Sequence, residues 1–296
     1  MRILHDASNL ARRNFHGQNL CTFSGIRTGC VYGTVASMLM IQGLYPAEHV
    51  LMVWDAEGGS QFRKAIYPNY KGDRGPADPN YIEDRSNLEE LLTAMGVTQV
   101  TKPGVECDDI IGFLAMELYK DEEIIIVSTD KDFYSLISDR VRVWNPYKQE
   151  FVPFVNGKVP ITEAGKTIWL YPHQVPDYKA LAGDKSDSIP GAVGFGIGAA
   201  ITFFERNECI EPIFEGKANI SQLSSKPLSG LMQAIPFLKK FKEVATINIE
   251  EGRVEIPPRP PYREDMTEAL FEHYEFKQFA AMGHNRTKVI GGTTWL

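Results

Sequence analysis

The chain has 296 residues, enough for one large domain or two small ones. Its 43% hydrophobic and 23% charged content is ordinary for a soluble globular protein, and no apolar run approaches the roughly 18 residues that span a bilayer. The formal net charge of −7 argues against a simple nucleic-acid binder. The start MRILHDASNL has neither the apolar core nor the small-residue site of a secretory signal. Cys21, Cys30, Cys107 and Cys209 form no CxxC pair. Reduced thiols in a cytoplasmic protein are therefore expected, without a zinc site or a disulfide framework.

In chain order, three apolar runs each lead into a carboxylate: RIL before Asp6, HVLMVW before Asp55, and EEIIIVST before Asp130 and Asp132. Continuous runs of this kind suit strands buried on both faces of a parallel sheet. Helical spacing lies between them, at residues 29–42, 84–95 and 108–119. Alternating strands and helices predict an α/β fold with a mostly parallel central sheet flanked by helices. After about residue 150 the strand runs give way to polar turns and short helical stretches. Residues 248–264 are expected to form a short strand followed by a Pro-rich extended segment. Residues 265–282 are expected to form one or two helical turns around a Phe-rich face, and 283–296 a polar tail.

Parallel sheets bind ligands beyond the carboxyl ends of their strands, so Asp6, Asp55, Asp130 and Asp132 should converge on one edge. GVECDDI adds Glu106, Asp108 and Asp109 at a helix start, and GDKSD adds Asp184 and Asp187, expected to share a face of a helical turn. Any one of these acids alone reads as a cap or a solvated turn; several separate segments delivering acids to one edge are the signal. So many carboxylates repel unless they are protonated or bind cations. Oxygen donors without His or Cys favour Mg²⁺ or Mn²⁺, and the number of acids suits at least two ions, the apparatus of phosphodiester hydrolysis.

QFRKAIYPNYKGDRG sets Arg63, Lys64, Lys71 and Arg74 among Phe62, Tyr67 and Tyr70. Cations meet phosphates and rings stack on bases, so the stretch suits single-stranded nucleic acid; a solvated loop is the bland alternative. GAVGFGIGAA, with Gly191, Gly194, Gly196 and Gly198, lacks both the dinucleotide fingerprint and the Walker pattern. Glycines leading into a helix present N–H groups to a phosphate, which fits a duplex held by its backbone. The six histidines show no metal spacing, and His5 beside Asp6 reads as a packed or loosely solvated ring.

These motifs, in this order, resemble the flap endonuclease / 5′-nuclease superfamily. The closest likeness is to the 5′-nuclease domain of bacterial DNA polymerase I and to stand-alone phage 5′-exonucleases. The likeness rests on Asp6 after the first strand, VWDAEGGSQFRKAIYPNYKGDRG, GVECDDIIGFLA, IIIVSTDKDFYSLISDRVRV and DYKALAGDKSDSIPGAVGFGIGAA, with EALFEHYEFKQFAAM near the end. It implies a PIN-like α/β core over 1–170 with a helical arch at about 72–86. It also implies a helical duplex-binding region over 171–282 carrying a helix–two-turn–helix. Asp6, Asp55, Glu106, Asp108 and Asp130, with Asp109 beside them, match one metal cluster; Asp132, Asp184 and Asp187 match the second. Lys71 and Arg74 match arch residues that steady the cleaved phosphate beside Asp130 and Asp132. Tyr70 matches a stacking aromatic, and Lys179 a position where a basic residue is usual. Arg63, Tyr67, Arg85 and Lys185 complete the candidate nucleic-acid contacts.

The likeness further implies a Mg²⁺-dependent 5′→3′ exonuclease and 5′-flap endonuclease of DNA, with RNase H-like action on RNA–DNA hybrids. Mn²⁺ would substitute for Mg²⁺, and K⁺ would sit at the helix–two-turn–helix. A polymerase or single-strand-binding protein would be the partner, and the bacterial or phage-infected cytoplasm the setting. The chain departs from the pattern in two places. Cys107 replaces an Ala between the Glu and the Asp pair and is expected to pack without taking part in chemistry. The helix after Gly198, AAITFFERN, is poor in Lys and Arg for a duplex grip. A non-catalytic branched-DNA binder and a PIN-like single-strand RNase are the rival readings; the first would be expected to lack several of these acids, and the second would need neither the arch nor the glycine-rich element.

Overall fold

The computed structural model describes residues 1–47 and 49–277. A sheet in the order β3-β2-β1-β4-β5-β6 forms its centre. The strands are β1 (Arg2–Asp6), β2 (His49–Val53), β3 (Thr98–Val100), β4 (Ile124–Val127), β5 (Val141–Asn145) and β6 (Glu150–Phe151). All neighbouring pairs are parallel except β5 with β6. The aliphatic runs explain the placing of β1 and β4: successive side chains point to opposite faces, and both faces are covered. Leu4, Ile124 and Ile126 pack with Ile110, Ile111 and Leu114, while Ile3, Ile125 and Val127 pack with Leu10 and Ile41.

The first of these layers comes from α5 (Cys107–Phe113) and the turn that follows it. The second comes from α1 (Ala7–Gly17) and α2 (Gly29–Leu44) and, after the short α3 (Gln61–Ile66), α4 (Pro79–Ala94). Helix α4 starts earlier than the expected 84, because Pro79 takes the first turn and the Asp78 carboxylate caps it by accepting the Asn80 N–H at 2.9 Å. Only residues 72–78 of the segment expected as an arch are therefore irregular; the rest opens α4.

A second core lies beyond residue 150. It is enclosed by a hairpin of β7 (Val159–Glu163) and β8 (Lys166–Leu170), then α6 (Val175–Ala182), α7 (Ile197–Phe204), α8 (Glu211–Phe214) and α9 (Ser225–Ala245). The hairpin contradicts the expectation of turns and short helices alone. Its inward residues Ile161, Ile168 and Leu170 alternate with exposed ones, and Ala164 and Gly165 make its turn with φ of 48° and 74°. Helix α9 spans 21 residues and carries Leu231, Leu238 and Phe241 into this core. No strand forms at 248–256 among the described residues. Residues 249–252 turn, with the Gly252 N–H donating to the Asn248 carbonyl at 3.0 Å, and the chain then runs without regular structure to α10 (Glu264–His273), longer than the one or two turns expected; Phe271 returns to the first core. Residues 278–282 of that expected segment, and the tail 283–296, lie outside the described residues.

Candidate active site

Asp6 ends β1, Asp55 follows β2, and Asp130 follows β4, so parallel pairing brings all three to one sheet edge. Asp6 is buried and held by three donors. Its Oδ1 accepts the Asn9 N–H at 3.0 Å and the Cys107 thiol at 3.2 Å, and its Oδ2 accepts the Ser128 hydroxyl at 2.8 Å. Burial, then the neighbouring Asp55 charge, pushes its carboxyl up to about 7. Half-buried Asp55 accepts the Cys107 N–H at 2.9 Å; burial opposes its ionisation, but that bond and the Lys71 charge hold it below the usual range. Asp130 is solvent-exposed, yet many protein atoms surround it. The resulting desolvation raises its pKa, although the Lys179 charge pulls the other way. Its carboxylate also caps the turn Lys131–Leu136 through the Asp132 N–H at 3.0 Å. None of these three acids forms an ion pair among the described residues.

The remaining acids do. Lys179 contacts Asp132 and lies 2.7 Å from Asp184, whose carboxyl it holds down at about 2 against the effect of burial. Lys71 contacts Glu106 and stands 3.8 Å from Asp187, and Arg74 stands 3.5 Å from Asp187. Burial still pushes Asp187 up to about 6. Asp184 and Asp187 share no helical face, contrary to expectation. They sit in a turn closed by an Asp184–Ile189 bridge, entered through Gly183 at φ 85°. Lys71 has a φ of 51°, and its N–H donates to the Asp187 carbonyl at 3.0 Å. A non-glycine residue held in the left-handed region costs about 1–3 kcal/mol and marks a position fixed by its surroundings.

Of the side chains expected to contact nucleic acid, Arg63, Tyr70 and Lys179 are buried. The Arg63 side chain is 2% exposed. It forks onto Asp109 with both bonds at 2.7 Å, reaches Glu106 at 2.8 Å and Asp108 at 3.4 Å, and donates to Val244 O at 3.0 Å and Thr246 O at 3.2 Å. It therefore ties the acidic start of α5 to the end of α9 and cannot reach a ligand. Tyr70, 1% exposed, donates to Glu106 at 3.0 Å, so it presents no ring to a base. Asp109 is likewise taken, by Arg63 and by the Asn248 N–H at 2.7 Å. Tyr67 packs edge-on against Phe241. Arg85 lies on the Trp54 ring, 4.7 Å from its centre, and donates to the Asp55 carbonyl at 3.2 Å. His5 is fully buried, and burial lowers its pKa to about 3, so it stays neutral, as the reading of a packed ring requires.

Among the described residues, no three His, Cys, Asp or Glu side chains stand close enough as arranged to hold a metal ion. Ammonium groups of Lys71 and Lys179 lie among the acids instead. In kind, the donors fit a hard divalent cation: they are all carboxylates, and Asp6, raised by burial and then by the Asp55 charge, is what an added cation would relieve.

Residues 1–162 match the family model described as 5′-3′ exonuclease, N-terminal resolvase-like domain. The chain belongs to the 5′-3′ exonuclease family. A 5′-3′ exonuclease of Buchnera aphidicola is 30% identical over 251 residues, covering 83% of each chain. A thermostable DNA polymerase I of Thermus thermophilus is 29% identical over 93% of this chain but only 32% of its own length. The chain thus spans about a third of the polymerase it matches. The flap endonuclease of bacteriophage T5, solved in complex with DNA and metal ions, shares the fold with a TM-score of 0.64 at 17% identity, over 98% of each chain.

The glycine-rich stretch follows the acid turn directly. Gly191 is required by geometry: its φ is 64°, and a Cβ there would lie 2.3 Å from the Gly183 nitrogen. Gly194, Gly196 and Gly198 are exposed, as is Lys185. The α7 helix that follows is as poor in basic residues as its sequence indicates, but two lysines reach the turn from elsewhere. The Lys226 stem would meet a Cβ on Gly194 at 2.9 Å, and the Lys166 ammonium would lie 3.6 Å from one on Gly198. Lys166 comes from the β7–β8 hairpin and Lys226 from α9, the two elements least visible in the sequence. The Asn9 N–H and the Ser128 hydroxyl that hold Asp6 carry no sequence pattern of their own, and Cys107, expected only to pack, also touches Asp6.

Proposed function

We propose that the protein is a divalent-metal-dependent 5′→3′ exonuclease and structure-specific 5′-flap endonuclease of DNA that also removes RNA from RNA–DNA hybrids. The observation that carries this is the trio Asp6, Asp55 and Asp130, brought from three parallel strands to one edge and forming no ion pair among the described residues. Membership of the 5′-3′ exonuclease family and the T5 relative's complex with DNA and metal ions support it.

Asp6, Asp55, Glu106, Asp108 and Asp130 would hold one Mg²⁺, and Asp132, Asp184 and Asp187 a second, with Mn²⁺ as a substitute. The ions would supply an ionised water and neutralise the phosphate oxygens. Lys71 and Arg74 lie next to these acids, and their charge suits the charge that builds on the phosphate during attack. Water adds to phosphorus, the bond to the 3′ oxygen breaks, and that oxygen takes a proton, leaving a 5′-phosphate and a 3′-hydroxyl. Lys166, Lys185 and Lys226 around the exposed glycines would hold the duplex backbone without reading its sequence.

The test is one cleavage series in Mg²⁺ with a 5′-labelled flap, a nicked duplex, an RNA–DNA hybrid and an unstructured RNA. Preference for the unstructured RNA would move the assignment to a single-strand RNase. Binding of the flap without cleavage under Mg²⁺ or Mn²⁺ would make the protein a branched-DNA binder. Full activity of both Asp130→Ala and Asp187→Ala would reject the metal assignment.

A further inference from the structure

Cys107 is the first residue of α5, and it touches two carboxylates that arrive from two different strands. Its thiol is 3.2 Å from Asp6 Oδ1, and its backbone N–H donates to Asp55 Oδ1 at 2.9 Å. The residue is 6% exposed, so the thiol has little access to solvent. Packing alone would ask only for a small apolar group here. The thiol adds a donor, and Asp6 uses it.

Asp6 Oδ1 then receives two donors, Asn9 N–H and the Cys107 thiol, while Oδ2 receives only the Ser128 hydroxyl. A carboxylate oxygen offers about two lone-pair sites. Oδ1 is filled by protein donors, and Oδ2 keeps capacity for a ligand. The thiol therefore helps decide which oxygen of Asp6 keeps room for a ligand, and the same residue's N–H fixes Asp55 beside it. Groups that orient a metal-binding carboxylate typically change metal affinity by about 10–100-fold. A thiol is a weak donor, so its share belongs below that range.

We infer that Cys107 is a positioning residue of the acid site, orienting Asp6 through its thiol and Asp55 through its backbone N–H. This rests on the metal-centre reading above. The Asp55 bond survives any substitution that keeps the backbone, so the thiol is the testable part.

The experiment is a titration of the full chain with Mn²⁺, followed by electron paramagnetic resonance, without nucleic acid. Wild type is compared with Cys107→Ala, which removes the donor, and Cys107→Ser, which keeps one. Melting in EDTA first establishes that each variant is folded. Cys107→Ala is expected to weaken Mn²⁺ binding by about threefold or more, with Cys107→Ser close to wild type. Equal binding by Cys107→Ala and wild type overturns the inference, as does an equal loss in Ala and Ser, which would leave packing as the only role. If the wild-type chain binds no Mn²⁺, the metal reading fails and this inference with it; if it binds and Cys107→Ala is unchanged, only this inference fails. A second readout is the S–H stretching band of Cys107, isolated by infrared difference against Cys107→Ala. It should shift toward the free-thiol position in Asp6→Ala, and a band that stays in place overturns the hydrogen bond.

Discussion

Asp6, Asp55 and Asp130 sit at the ends of parallel strands and form no ion pair among the described residues, whereas Asp132, Asp184 and Asp187 each lie near Lys179, Lys71 or Arg74. The difference follows from how each set is delivered. Strand ends are fixed by ladder register, so the positions of Asp6 and Asp55 are set by the sheet and by short donors such as Ser128 and the Cys107 N–H. The second set arrives on turns, within reach of lysines whose long stems let the ammonium group move. On the proposed metal reading, the strand-end acids would meet a cation from outside. The turn acids already have cations from within, which must shift if another is to bind.

The largest expected effect breaks the strand-end set. Asp130→Asn keeps the side-chain oxygen that caps the Lys131–Leu136 turn but removes the charge. Single-turnover cleavage of a 5′-flap in Mg²⁺ should fall by about 10²–10³-fold, the range for loss of one preorganised electrostatic group. Activity within a few-fold of wild type would mean that this set is not the reactive one.

A pH titration in EDTA sharpens the same contrast. Asp6 is raised to about 7, so below that pH the folded chain binds a proton that the unfolded chain releases until about its ordinary 3.9. Its contribution to stability therefore grows as pH falls from 7 towards 4. Asp184 is lowered to about 2, so its contribution is present above about 3.9 and is lost as pH falls through 2. Urea unfolding of Asp6→Asn should lack about 2–4 kcal/mol of the gain between pH 7 and 4, whatever its absolute stability. Asp184→Asn should keep that gain and lose the drop below pH 4. Asp187, raised to about 6, follows Asp6 in direction, so burial as well as pairing sets the sign.

The same split explains what could be read beforehand. The parallel sheet and its acidic edge were legible because aliphatic runs ending in Asp are a local signal with one structural outcome. Arg63 and Tyr70 were not. A basic residue among aromatics looks alike whether the stretch faces solvent or the interior. Here the decision lies with Glu106, Asp109 and Val244, distant in sequence. The turn at Asp184 was misread as helical because its closure depends on Ile189 and on the backbone freedom of Gly183. The β7–β8 hairpin did carry a signal, the alternation of Val159 and Ile161 and then Ile168 and Leu170 about an Ala-Gly turn, hidden by the polar residues between them.

The smallest expected effect separates the acid edge from the glycine turn. Lys226 and Lys166 stand beside Gly194 and Gly198 and far in sequence from either acid set. If they meet duplex phosphates, Lys226→Ala should lower the slope of log affinity against log salt by about 0.9, the share of one phosphate contact on B-form DNA. The loss should be similar for every duplex sequence, because a backbone contact carries no sequence information. Mn²⁺ binding without DNA should stay at the wild-type level, since no acid of the site touches Lys226. An unchanged salt slope in both Lys226→Ala and Lys166→Ala would leave the apolar α7 without basic help and place the duplex contact elsewhere. A changed slope together with weakened Mn²⁺ binding would mean that the two regions are not separable, and that the acid edge feels the turn through the α9 helix that Arg63 joins to Glu106.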